Sequence, residues 1–570
     1  LKRMGYAGWL LLAIVCLACG VFPCTPFEED GTAIAAGSLL LTRSETGAED
    51  LKSLDGDLIY RYDAQPGSYA LGCWGIRLFH ADPFLLLSLA SAAACAASLL
   101  LGGFLLGRLS NTSVFAGVGI LLLFQELWAS AYYPNSTILA LPWVLASLLG
   151  AAMWPGRALL CLSGLFLAVG AWFRTDVGLL ALSLPVLRWW FRGREPKPGV
   201  AWTAFMDTIV IAGVCLGVLL SLLLASHVSP LQILAQARGH LVSETLATPD
   251  LGVPILGLAS AKSHMAFFAL GPSVLLGTGV ILLACRRDGV SLGYFLSGAM
   301  PLYLVYARQA TTPKYFLPLL PFLGLPILLA CQWILGRPRR GVPPWTVLGL
   351  LILPQMFVGL QASFRSKPWV RATEPRLLSF YEVHPSAGPI ESVSLLVGAG
   401  SIINTDDGPR LSSGIFFLPW TWRTLKREND RVLNRIVRDL SRDEPTHDRV
   451  EEIRRVVTGS TRGWRAIMLC LLREGYGLEE KRDCREEGKA VEVFTSWKRE
   501  GSRVDLVYRD LGHRQWELFA DALEASGAKR TIYIVDRGWE ETLFLEKEVG
   551  WTKLYGETDL YMLAAYERER

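Results

Sequence analysis

A chain of 570 residues, 51% of them hydrophobic and only 19% charged, with a positive mean hydropathy, cannot be one soluble domain, because so much apolar surface exceeds what a single water-facing fold can bury. The formal net charge of +4 decides little by itself, and no nucleic acid is expected as a partner. Charged residues are sparse as far as Gln361 and crowd the remainder. The chain therefore divides into a membrane part, 1–363, and a soluble part, 364–570, large enough for its own core.

The membrane part reads as mainly α and polytopic. Apolar runs predict about eleven transmembrane helices, at 5–22, 83–106, 113–132, 137–154, 158–173, 177–191, 205–225, 266–285, 291–306, 316–335 and 345–360. At 158–173 and 291–306 the runs are shorter than a standard crossing, so the count can shift by a pair. With a cytoplasmic N-terminus, every inner connection is basic: Lys2 and Arg3, Arg108, Arg157, the group Arg192, Arg194 and Lys197, the pair Arg286 and Arg287, and Arg337, Arg339 and Arg340. An odd count exports the C-terminal part. The first run could alternatively be a cleaved signal after Lys2 and Arg3, but cleavage would leave an even count at odds with the charge pattern.

Three carboxylates, Glu28, Glu29 and Asp30, follow the first apolar run directly. They are either the solvated flank of a span or a functional cluster. The neighbourhood favours function: 31–41 reads as a short apolar helix with Asp30 at its N-terminus, where free N–H groups and the dipole hold an ionised carboxylate in place. The loop they open, 23–82, is too long for a turn. Its second half, 60–79, is amphipathic from Ser68 onward, and Tyr60, Tyr62, Tyr69 and Trp74 suit a helix at headgroup depth.

Further along, Glu126 lies inside the third run, where an unpaired carboxylate is expensive, so it is expected to face a cavity. Arg174 and Asp176 sit at an outer junction, as a local pair holding the turn or as contacts to an acceptor. Asp207 reads as a boundary residue. The second long outer loop, 226–265, carries His227, His240, Glu244, Asp250, Lys262 and His264. None of these has tight metal-ligand spacing; His240 and Glu244, four apart, suit a surface hydrogen bond better than a metal, and no metal is assigned although a divalent ion stays open. Cys24 with Cys73, and Cys470 with Cys484, could pair in an oxidising compartment. Asn135-Ser-Thr matches a glycosylation sequon close to the membrane. The soluble part reads as α/β, with strands at 392–397, 503–508, 530–535 and 561–566 and an amphipathic helix at 515–526. Gly398-Ala-Gly400 hints weakly at a dinucleotide fingerprint, and Asp406-Asp407-Gly408 reads as a turn.

An acidic cluster after the first span, a helix, then Tyr60-Arg-Tyr-Asp-Ala-Gln-Pro66 leading into an amphipathic segment that ends in Leu78-Phe79 resembles the first outer loop of the GT-C membrane glycosyltransferases. Pro313-Lys-Tyr-Phe-Leu-Pro-Leu-Leu-Pro-Phe322 is similar to the Pro-x-Arg-Tyr signature of a late span in those enzymes. The resemblance covers the membrane part. It implies a hexosyl- or pentosyltransferase in the plasma (bacterial inner) membrane, using a polyprenyl-phosphate-linked sugar and a glycan, lipid or protein acceptor on the outer face among membrane lipid. It implies Asp30 or Glu29 as catalytic base, Lys314, Arg308, Tyr315 and Arg61 at the donor phosphate, and Glu126, Arg174, Asp176, His240 and Gln65 at the acceptor or its cavity. Two departures stand out. Gln65 takes a place where one branch has Lys, so Arg61 or Lys314 must supply that charge; and Lys314 replaces an Arg, keeping charge without the bidentate fork. A transporter or lipid flippase with an exported accessory domain, and a noncatalytic scaffold of the same fold, are the rival readings.

Overall fold

The computed structural model describes residues 29–43, 62–121, 127, 135–193, 199–231, 233, 270–286, 289–309, 317–336, 348 and 351, and in the C-terminal part 395–397, 400–405, 408–412, 452–458, 461–484, 492–499, 502–509, 530–536, 552–555 and 563–569. The expected span at 5–22, nearly all of that at 345–360, and the helix expected at 515–526 lie outside them.

In chain order the described helices are α1 (Glu29–Arg43), α2 (Pro66–Phe79), α3 (Pro83–Ser110), α4 (Val114–Leu121), α5 (Ser136–Met153), α6 (Arg157–Phe173), α7 (Leu184–Arg192), α8 (Val200–Ala225), α9 (Leu270–Arg286), α10 (Gly289–Gln309) and α11 (Leu320–Leu335). Their ends follow local chemistry. Pro66 and Pro83 occupy first-turn positions that need no N–H. Asp82 caps α3 by accepting from Leu85 N at 2.9 Å, and Asn135 caps α5 by accepting from Ile138 N at 2.9 Å. Asn135 is fully buried, so the sequon is a structural cap.

Among the described residues four helices are long and apolar enough to cross a membrane: Pro83–Ser110, Ser136–Met153, Val200–Ala225 and Leu317–Leu335. On α8 the apolar side chains Trp202, Phe205, Leu216 and Leu224 are mostly exposed, as suits a helix turned toward lipid. The run expected at 177–191 is not a plain α-helix. Thr175–Ser183 is a 3₁₀ stretch that continues into α7. At about 2.0 Å per residue this stretch reaches farther than an α-helix of equal length, so a short run covers a membrane-scale distance.

Interhelical bonds sort the helix ends into two groups. At one end, Arg174 after α6 reaches Thr137 at the start of α5, and Trp172 near the end of α6 reaches Ser226 after α8. The loop helix α2 and the start of α3 lie at this same end, where Gly75 abuts Leu86 and Gly67 abuts Trp172. At the other end, wholly buried Arg188 on α7 donates through Nη1 to the Ala151 and Trp154 carbonyls, both 2.8 Å away, closing the end of α5. Its Nε and Nη2 both meet Asp207 Oδ2 on α8, and Arg192 Nε reaches the same oxygen at 3.0 Å. Asp207, expected as a boundary residue, is thus the buried acceptor for two arginines.

The C-terminal part carries two sheets. Strands β1 (Leu395–Val397), β2 (Gly400–Thr405) and β3 (Gly408–Ser412) form an antiparallel meander. Gly400 opens β2, which pairs straight back on β1, so no helix follows and the dinucleotide reading is excluded. Asp406 and Asp407, read as a turn, lie outside the described residues; the strands on either side of them, β2 and β3, pair antiparallel. The larger, mixed sheet has the order β5-β6-β7-β4-β8-β10-β9, built from β4 (Glu452–Thr458), β5 (Gly477–Cys484), β6 (Glu492–Arg499), β7 (Ser502–Arg509), β8 (Arg530–Asp536), β9 (Thr552–Tyr555) and β10 (Leu563–Glu569). Strand β4 runs parallel to both its neighbours, β7 and β8, and the other pairs are antiparallel. Helix α12 (Thr461–Arg473) follows β4 and lies on β4 and β7.

Candidate active site

Glu29 and Asp30 form the first turn of α1, so the helix begins two residues before the expected 31–41 and includes both acids. Free N–H groups and the helix dipole at this turn favour negative charge. The backbone of the two acids is described; their side chains are not. Every residue from Gly31 to Leu40 is buried. Small residues make this enclosure feasible: Ala33, Ala35, Ala36 and Gly37 let α2, α3 and α12 close on α1 together.

The α1–α2 contact is tight. A Cβ on Gly37 would stand 2.5 Å from Tyr69 Cε1, and one on Gly72 would overlap Ser38 Oγ. Tyr69 is fully buried, so its ring packs inside the protein and not against headgroups: the glycine opposite opens a slot for the ring. Ser38 Oγ donates to Ile34 O at 2.7 Å and lies 3.3 Å from Tyr69 O, while Cys73 Sγ donates to Ser38 O at 3.6 Å. Burial pushes the Cys73 thiol up, with hydrogen bonds to Thr42 and Ser38 and the charge of Arg77 opposing that rise, so it stays a protonated donor. The two helices run the same way across this contact, Gly37 meeting Tyr69 and Thr42 meeting Cys73. Their first turns therefore point to a common end. There Thr32 Oγ1 and Ser68 Oγ are buried with no hydrogen-bond partner among the described residues, and Gln65, also buried, takes the N-cap position of α2 without a side-chain cap bond.

The other flank of α2 meets the bundle. Trp74 stacks obliquely on Trp172 with ring centroids 5.9 Å apart, Trp172 Nε1 donates to Ser226 Oγ at 3.0 Å, and Tyr62 Oη donates to Ser226 O at 3.1 Å. The outer ridge of α2, Trp74, Leu78 and Phe79, is more than half exposed, as the interfacial reading expects.

Of the residues singled out in the sequence, Asp30, Glu29 and Gln65 lie on the paired helices α1 and α2. Arg174 is half-buried and donates through Nη1 to Thr137 Oγ1 at 2.6 Å, with Ser136 Oγ at 3.5 Å; these bonds fasten α6 to α5. Asp176 lies in the first turn of the 3₁₀ stretch and Arg308 in the last turn of α10, both with backbone alone described. Arg61, Glu126, His240, Lys314 and Tyr315 lie outside the described residues, as does Cys24, the partner suggested for Cys73. Among the described residues no three His, Cys, Asp or Glu side chains gather as a metal site would need. Sequence reasoning missed Thr32, Ser68 and the Trp172–Ser226–Tyr62 junction. Hydroxyls and aromatics beside apolar runs look ordinary until the helices are paired.

No family model matches the chain, and no curated protein matches it by sequence. Among solved structures it is similar to ArnT from Cupriavidus metallidurans in the apo state, with a TM-score of 0.50 at 10% identity over 100% of this chain and 98% of that one. ArnT from Cupriavidus metallidurans bound to undecaprenyl phosphate gives a TM-score of 0.45 at 10% identity over 100% and 98% of the two chains. The Archaeoglobus fulgidus oligosaccharyltransferase in complex with Zn and sulfate gives 0.39 at 10% identity, covering 81% of this chain and 61% of that one. The likeness to apo ArnT meets the expected GT-C resemblance at the level of fold, and four of the described helices are long and apolar enough to cross a membrane.

Proposed function

From a GT-C membrane fold as premise, we propose that the protein transfers a hexosyl or pentosyl unit from a polyprenyl-phosphate donor to a glycan, lipid or protein acceptor on the outer face of the plasma (bacterial inner) membrane. Fold alone does not fix activity. The observation that carries this reading is the pair Glu29–Asp30 in the first turn of a helix that is buried throughout its next ten residues. Such enclosure suits a fixed base better than a solvated membrane flank. A lipid-linked donor accounts for acids beside a membrane span.

In this mechanism Asp30 accepts the proton of the acceptor hydroxyl as that oxygen bonds to the anomeric carbon. The bond from that carbon to the phosphate oxygen breaks, and its electron pair leaves with the polyprenyl phosphate. Lys314 and Arg308, with Tyr315 and Arg61, offset the negative charge gathering on the leaving phosphate. Gln65 and the Thr32 and Ser68 hydroxyls, buried near the same helix ends, serve the acceptor side. Glu126, Arg174, Asp176 and His240 complete the cavity in this reading, and the C-terminal part is an exported domain.

Purified protein offered a panel of polyprenyl-phosphate sugars should bind and consume at least one, releasing polyprenyl phosphate as sugar appears on an acceptor. Neither binding nor turnover across hexosyl and pentosyl donors would contradict the proposal.

A further inference from the structure

We infer that the C-terminal part holds the acid-bearing helix in place, with Arg473 on Asp82 as the positioning contact; the catalytic consequence rests on the transferase reading above. A helix lying on one sheet keeps a polar stripe toward water. Helix α12 has none along its middle: Trp464, Arg465 and each residue from Ile467 to Leu472 are buried. The sheet covers one side of it, and α1 covers another. Reciprocally, α1 from Gly31 to Leu40 has no exposed residue, because α12 closes the side that α2 and α3 leave open. The apolar faces of α1 and α12 are each other's cover, although they lie more than 400 residues apart in sequence.

A charged clasp fixes this cover. Arg473, in the last turn of α12, presents Nε 2.6 Å from Asp82 Oδ2 and Nη2 2.7 Å from Asp82 Oδ1, a two-pronged pair. Its guanidinium also lies 6.0 Å from the centre of the Phe84 ring. A cation suits the C-terminal end of α12. Asp82 Oδ1 simultaneously caps α3 at Leu85 N, so one carboxylate ties the start of α3 to the end of α12, with α1 packed against both. Loosening the clasp frees α1 to shift, and Asp30 shifts with it. Displacements of about 1 Å in a reacting group cost as much as roughly 10²-fold in rate.

The test uses the full-length protein with Arg473→Gln, Arg473→Lys, Asp82→Asn and the double variant Arg473→Gln with Asp82→Asn. Asp82→Asn retains an oxygen for Leu85 N, so α3 keeps its cap. Amide hydrogen exchange across 31–40 should quicken in Arg473→Gln and in Asp82→Asn, no further in the double variant, and less in Arg473→Lys, which keeps charge without the fork. With a donor that wild type consumes, kcat should fall about tenfold or more in Arg473→Gln while KM for the lipid donor holds. Unchanged exchange across 31–40 in Arg473→Gln overturns the inference, and so do losses that multiply in the double variant. Exchange that responds as expected in a protein whose wild type consumes no donor leaves the clasp standing and removes the transferase reading instead.

Discussion

At Asp207 a single carboxylate oxygen accepts from both Arg188 and Arg192, and Arg188 has no exposed surface. Removing one partner of a buried pair strands the other charge, at a cost of about 3–5 kcal/mol. Asp207→Ala should therefore lower the thermal midpoint of the detergent-solubilised protein sharply, and Asp207→Asn, which keeps an acceptor, should lower it less. Equal midpoints in wild type and Asp207→Ala would show that the cluster contributes nothing. The sequence marks Asp207 only as a boundary residue of an apolar run, and its main partner stands 19 residues upstream in what reads as another span. Only the packing of α7 on α8 joins them. The place of Asp30 at a helix start was more legible, because an acid beside a run of small apolar residues is a local signal.

Among elements, the α1–α2 pair depends on glycine at the points of closest approach. Gly37→Val should drive its side chain into Tyr69, costing about 1–3 kcal/mol as overpacking does, and a fall in thermal midpoint with slower sugar transfer would register it. A variant as stable and active as wild type would mean that the helices separate without consequence. Helix α1 and the runs behind α3, α5 and α6 could be read from apolar pattern, proline and cap residues, each a local signal. The 3₁₀ stretch at Thr175–Ser183 could not, since its residues suit an α-helix equally and tertiary packing chooses between them. The burial of Tyr69 was hidden for a similar reason: the slot that receives it is made by Gly37, 32 positions away.

At the scale of the whole molecule, α5 to α8 are bonded to one another at two opposite ends, and the basic turns predict which end faces the cytoplasm. Reporters fused after Arg108, Arg194, Arg287 and Arg340 should be cytoplasmic, and those after Gly47, Leu246 and Ala490 external. A cytoplasmic reporter at Ala490 would remove the exported C-terminal domain. Strands β7 and β8 lie where strand-like sequence puts them, and β10 at Leu563–Glu569 overlaps the expected 561–566 only in part, whereas the mutual cover of α1 and α12 joins parts of the chain too distant for any local pattern. The central claim, that this fold carries a transferase whose base opens α1, is tested most directly by sugar transfer from a polyprenyl-phosphate donor in wild type, Asp30→Asn and Glu29→Gln. The account predicts that Asp30→Asn binds donor normally and loses about 10²-fold or more in turnover, as removal of a general base does, while Glu29→Gln loses less. A dead Glu29→Gln beside a fully active Asp30→Asn would move the base by one residue, and full activity in both would contradict the claim.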